Sequence, residues 1–122
     1  MDEVKFWMKC GLKWFWNHNP ECNCGAIDDD DSMRSWHYWN GKEWCLATRF
    51  WYEKLDIHSL DALFKWAVPK ISHPVITIYF DHNVKEWYCK IIIAESPWEV
   101  GSFNIDPAVA LAETINKALE IE

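Results

Sequence analysis

Glycine is scarce in this chain, with four in all, and none lies in a glycine-rich loop whose backbone amides could cradle a phosphate. Cations are scarce too. Twelve Lys and Arg stand against 19 Asp and Glu, a net charge of −7, and they form no cluster. Nucleic-acid binding draws on counterion release to a cationic surface, so nucleic acid is excluded as an expected partner. No apolar run is long enough to span a bilayer, and the acidic opening Met1-Asp2-Glu3-Val4-Lys5 does not read as a secretion signal. No membrane association is expected, and the expected compartment is the cytoplasm. Five cysteines at irregular spacings make an odd count, which suits a reducing compartment rather than a disulfide framework. No local signature pairs a Ser or Cys nucleophile with a base, so the protein is expected to be non-enzymatic.

Aromatic residues are abundant. Ten Trp, four Tyr and six Phe in 122 residues exceed what one small core absorbs, which predicts rings at a surface, an interface or a ligand site. The length and a composition half apolar and a quarter charged suit a single α+β domain over residues 1–122.

Asp2 predicts the N-cap of a helix running to about Cys10, with Gly11 at its C′ position and Val4, Trp7 and Met8 on one face. Asn17 to Ser35 reads as a long loop. Asn40-Gly41, flanked by Trp36-His37-Tyr38-Trp39 and Lys42-Glu43-Trp44-Cys45, predicts a hairpin with a two-residue turn pairing Trp39 with Lys42 and His37 with Trp44. Its second strand is drawn through Trp51. Asp56 is the expected N-cap of a second helix, with Leu60, Leu63, Phe64, Ala67 and Ile71 as its apolar stripe and Pro69 ending it near Val68. A second hairpin joins strands Val75–Phe80 and Glu86–Ala94 through His82-Asn83, pairing Ile78 with Trp87 and Ile76 with Cys89. Asp106-Pro107 opens a last helix striped by Ala108, Leu111, Ala112, Ile115 and Leu119. The expected fold is one antiparallel sheet from two hairpins, with three helices packed as a sandwich.

Particular segments carry a family resemblance: Val4 to Trp14, ending Met8-Lys9-Cys10-Gly11-Leu12-Lys13-Trp14; the Asp-led helix that holds Trp66; the strand Trp87-Tyr88-Cys89; and the Ala-rich helix from Asp106 to Leu119. With the element order, they resemble the phage ABA sandwich domain, a family of small phage proteins. The Tyr-Ser-Thr-Asp segment that such proteins often carry before their second helix is not present as such, and the Asn17–Ser35 loop has no counterpart there. The resemblance implies a phage or prophage origin, a host-cell cytoplasmic setting and a helix-and-sheet sandwich. It implies no activity.

Three groups of side chains are site candidates. Trp36, Tyr38, Trp39 and Trp44 on the first hairpin, with Tyr79 and Tyr88 on the second, form a candidate stacking platform for a flat ligand, and Lys42, Arg49 and Lys90 are the cations available to a phosphate. The partner so expected is a nucleotide-like small molecule or a host protein. Core packing or a homo-oligomer interface competes for the same rings. Cys10, Cys22, Cys24 and Cys45, with His18 nearby, are candidate zinc ligands, although one residue between Cys22 and Cys24 is tight for two thiolates on one ion. Apart from zinc no cofactor is expected. The Asp28–Asp31 run reads as a solvated acidic loop, and Cys89 as a buried small hydrophobe.

Overall fold

The computed structural model of the chain describes residues 2–16, 34–50, 52–93 and 99–121. These residues form a mixed α+β protein with two three-stranded antiparallel sheets and three helices. The backbone groups into two compact units, Trp7–Leu55 and Met1–Phe6 with Asp56–Glu122.

Helix α1 (Glu3–Lys9) begins and ends as its sequence predicts. Asp2 Oδ1 accepts the Lys5 amide at 3.2 Å, the N-cap bond. At the other end Gly11 takes a φ of +87°. Its amide donates to Met8 O at 3.0 Å and that of Leu12 to Trp7 O at 3.2 Å, a Schellman closure that spares a side chain the left-handed conformation. The buried side differs from the expected one. Phe6, Trp7 and Cys10 are enclosed while Val4 and Met8 are exposed, because a two-turn helix is too short for its spacing to single out one stripe.

In the unit Trp7–Leu55, β1 (Lys13–Trp16), β2 (Arg34–Trp39) and β3 (Trp44–Leu46) pair in the order β1-β2-β3. Strand β1 follows Gly11, where no strand was expected, and β3 stops at Leu46 instead of running to Trp51. Observed pairs are Trp39 with Trp44 and His37 with Leu46, two residues displaced from the expected register. The turn is centred on Gly41-Lys42, with Gly41 at φ +101°. Asn40 is not a turn residue but its anchor: Oδ1 accepts the amides of Lys42 at 2.8 Å and Glu43 at 2.9 Å.

The other unit repeats the pattern. β4 (Pro74–Asp81), β5 (Glu86–Ile93) and β6 (Glu99–Asn104) pair in that order. Ile78 faces Cys89 and Ile76 faces Ile91, again two residues from expectation. Asp81 plays the part of Asn40, its Oδ1 accepting the amides of Asn83 at 2.8 Å and Val84 at 3.4 Å, while its carbonyl takes the Lys85 amide at 2.8 Å. A slip of two residues preserves side-chain alternation, so both hairpins keep their predicted faces. One sheet had been expected; the hairpins instead belong to separate sheets, each completed by an unpredicted strand, β1 or β6.

Helix α2 (Leu60–Ala62) runs on as a π-helical turn (Leu63–Ala67) and a 3₁₀ turn (Val68–Lys70). Its N-cap is Ser59, whose hydroxyl accepts the Ala62 amide at 3.2 Å, not Asp56. Leu63, Ala67 and Ile71 are buried as expected, but the widened turn leaves Leu60 and Phe64 exposed. Pro69 sits where the helix tightens and ends. Helix α3 (Pro107–Ile121) starts on Asp106, whose Oδ1 accepts the Ala108 amide at 2.8 Å. It packs on β5 and β6. Ala108, Ala110, Leu111, Ala112, Ile115 and Ala118 are buried there, their small size allowing close approach. Buried Thr114 donates to Ala110 O at 2.7 Å and lies 3.3 Å from Cys89 O. No helix among the described residues is long and apolar enough to cross a membrane.

Candidate functional site

Strand alternation gives the β4–β6 sheet two unlike faces. Cys89, Ile91, Ile93 and Ser102 point to the side covered by α3 and are buried. On the other side the register sets Tyr79 opposite Tyr88 and Tyr88 opposite Phe103, one ring from each strand in a row across the sheet. Ring centroids are 5.5 Å apart for Tyr79–Tyr88, edge-on, and 4.5 Å apart for Tyr88–Phe103, tilted by 39°. These are the spacings at which aromatic pairs attract. Tyr79 is 45% exposed and Phe103 44%, with Tyr88 half-buried between them.

Gly101 makes the row flat. The Tyr88 phenol lies across it, and a Cβ at position 101 would stand 2.3 Å from the Tyr88 oxygen. Beside the row, Lys90 faces Glu99 at 3.7 Å, a partly exposed pair that supplies one local cation already balanced by an acid. Thr77 stands opposite Lys90 and Val75 opposite Ile92 on the same face. Asp81 opposite Glu86 lies on this face too, so the face is aromatic across its middle and acidic toward the β4–β5 turn.

The other predicted ligand residues lie in the unit Trp7–Leu55, on the β1–β3 sheet or just outside it, and do not form one platform. Trp36 is 3% exposed and pairs with Trp14 at 4.9 Å, so it belongs to the core. Tyr38 shares the Trp36 face and is half-buried. Trp39 and Trp44 occupy the opposite face as an exposed pair 5.6 Å apart, with Lys13 Nζ 5.3 Å above the Trp44 ring. The Arg49 guanidinium lies 5.0 Å over Phe50, and Lys42 is exposed in the hairpin turn. Phe103 was missed because β6 was missed. Gly101 and Ser102 weaken its strand signal, and only the two-residue alternation of Val100, Ser102 and Asn104 with Glu99, Gly101 and Phe103 hints at it.

Of the proposed zinc ligands, Cys10 is buried, Cys45 is half-buried with its thiol 3.9 Å from Glu43 O, and Cys22, Cys24 and His18 lie outside the described residues, as does Asp28–Asp31. Cys89 is buried as expected, and desolvation pushes its thiol pKa up, which keeps it protonated and inert. Among the described residues one other group has ligating atoms close enough for a shared ion: Glu3, Asp56 and His58, all within 4.8 Å of one another and all exposed. Two carboxylates and an imidazole suit a divalent ion. A simpler account also holds, since His58 Nδ1 sits 2.7 Å from Asp56 Oδ1, which accepts the His58 amide as well at 2.9 Å. That carboxylate raises the His58 pKa, and the two bonds lower that of Asp56. Glu3 is 53 positions from Asp56 in sequence, so only the short Asp56-Ile57-His58 spacing was visible beforehand.

No protein-family model, curated protein or solved structure matches the chain.

Proposed function

We propose that the protein acts by binding, and that the open face of the β4–β6 sheet holds a flat, weakly charged molecule of nucleobase type. The observation that carries this reading is the row Tyr79–Tyr88–Phe103, two of its rings nearly half exposed and all three in contact. Aromatic faces bind bases with little geometric demand. A single cation, Lys90, already paired with Glu99, and the acids Asp81 and Glu86 on the same face favour a nucleoside and disfavour each added phosphate, a polyphosphate most. The resemblance to the phage ABA sandwich domain supplies the setting: a non-enzymatic phage or prophage accessory protein, its helices and sheets layered as a sandwich, sequestering a nucleotide-like ligand of the host cell.

Isothermal titration of the full chain with a panel of nucleosides and mononucleotides tests this. Tyr79→Ala and Phe103→Ala should each weaken binding by about 1–3 kcal/mol, the range for removing one stacked ring. Absence of heat and of any melting shift across the panel ends the reading.

A further inference from the structure

The outer edge of the β4–β6 sheet leads beyond the ligand face. Strand β4 occupies one edge, and its eight residues pair with β5 without a bulge from Pro74 opposite Ile93 to Asp81 opposite Glu86. In an antiparallel ladder alternate residues of such a strand turn their N–H and C=O groups away from the partner. Within the unit Met1–Phe6 and Asp56–Glu122 no other described element packs substantially along it. Folded proteins guard an edge of this kind with a short strand, a bulge, a lysine or an internal proline. β4 has none of these. Between Pro74 at its start and Asp81 at its end every residue is uncharged, and Val75, Tyr79 and Phe80 are 53%, 45% and 38% exposed.

The opposite edge is treated differently. β6 has six residues, includes Gly101 and carries Glu99 at its start. Lys117 reaches from α3 to donate to Gly101 O at 2.7 Å, using one backbone acceptor of that strand. One edge is thus blunted, and the other carries none of these guards among the described residues of its unit.

We infer that β4 pairs antiparallel with β4 of a second copy of this chain, joining two sheets into one of six strands. A two-fold axis through Ile78 sets Thr77 against the partner's Tyr79 on one face and Ile76 against the partner's Phe80 on the other, uncharged side chains against uncharged throughout. Each Asp81 then lies opposite the partner's Val75, with the two carboxylates about 20 Å apart along the strands at 3.4 Å per residue, so charge does not oppose the pairing. Because the contact is isologous it consumes both open edges at once, and the blunted β6 edges end growth at two copies. The open faces of the two sheets fall on the same side, which places the second copy's Tyr79 beside the first row. The inference is independent of the ligand reading: one concerns the edge and the other the face.

Sedimentation of the full chain at high micromolar protein, with amide exchange read residue by residue, tests it. The expected result is a dimer whose alternate β4 amides exchange slowly and speed up by about tenfold or more once dilution dissociates it. Thr77→Lys, which adds an edge charge at an exposed position, should weaken association by about tenfold or more; since the new lysine also faces Lys90 across β5, the dissociated chain should melt only slightly lower. Val84→Lys in the adjacent turn should leave the dimer intact. A monomer at all concentrations overturns the inference. So does a dimer indifferent to Thr77→Lys whose β4 amides exchange as fast as in dilute solution.

Discussion

In the β1–β3 sheet the strands are four, six and three residues long, and the rings that matter most face inward: Trp36 is enclosed against Trp14, and Lys54 Nζ lies 4.6 Å over the Trp14 ring. In the β4–β6 sheet the strands run to eight, eight and six residues, a fifteen-residue helix covers the face that also carries Phe80 and Trp87, and Tyr79, Tyr88 and Phe103 lie on the other side. Short strands make few ladder hydrogen bonds, so the first sheet depends on the large apolar area of tryptophan for cohesion. The second has an aliphatic core beneath α3 and can leave Tyr79, Tyr88 and Phe103 outside. Aromatic rings therefore play two parts in one chain: Trp36 is structural, while Tyr79 and Phe103 stay exposed.

The sharpest way to break this contrast is Trp36→Ala. Loss of a buried tryptophan costs about 3–5 kcal/mol, and amide exchange should show β1–β3 opening at lower urea than β4–β6. Equal loss of protection in both sheets would mean that the two units unfold as one. Gly101→Ala acts on the other sheet and on function rather than stability. The new methyl must displace the Tyr88 ring toward solvent, at a cost of about 1 kcal/mol, while breaking the row. Nucleoside binding should fall as far as it does for Phe103→Ala; unchanged binding would show that Tyr88 and Gly101 take no part in it.

Acid should separate the units in opposite senses. His37 is buried on β2, its Nδ1 bonded to Ser35 O at 3.0 Å, and desolvation lowers its pKa, with a smaller push from Lys13 in the same direction. Its stabilising effect is therefore full above the ordinary value of 6.5 and declines as pH falls below it. His58, held by Asp56, has a raised pKa, so its effect is full below 6.5 and is lost as pH rises through the higher folded value. Denaturant melts at stepped pH should show β1–β3 weakening on acidification, and a flat profile for that sheet removes the role given to His37. The smallest effect belongs to the exposed Asp56–His58 pair. Asp56→Asn should move the His58 imidazole titration, read by NMR, back toward its ordinary midpoint, Glu3 and Asp106 retaining a small part of the rise, with little change in melting.

Much of the fold was legible because it is encoded locally. Asp2 and Gly11 close α1, Asp106-Pro107 opens α3, and alternation sorts Ile76, Ile78, Cys89 and Ile91 from Thr77, Tyr79, Tyr88 and Lys90. The register was not legible, because Asn40 and Asp81 suit two roles: within a turn, or at its root with a side chain bonded to two amides ahead. Phe103 stayed hidden in a strand whose glycine and serine carry little β signal, and the Glu3–Asp56–His58 group needed a contact across more than fifty positions.

From its sequence alone the chain had determined the caps of α1 and α3 and the alternation of strands β2 to β5, all properties of neighbouring residues. Tertiary structure alone decided that Trp36 is interior while Tyr79 and Phe103 are outside, and that the two hairpins complete separate sheets with β1 and β6. A ring on an alternating strand has the same local pattern whichever face is covered. What covers it depends on where a distant segment packs, as α3 does on β5 and β6.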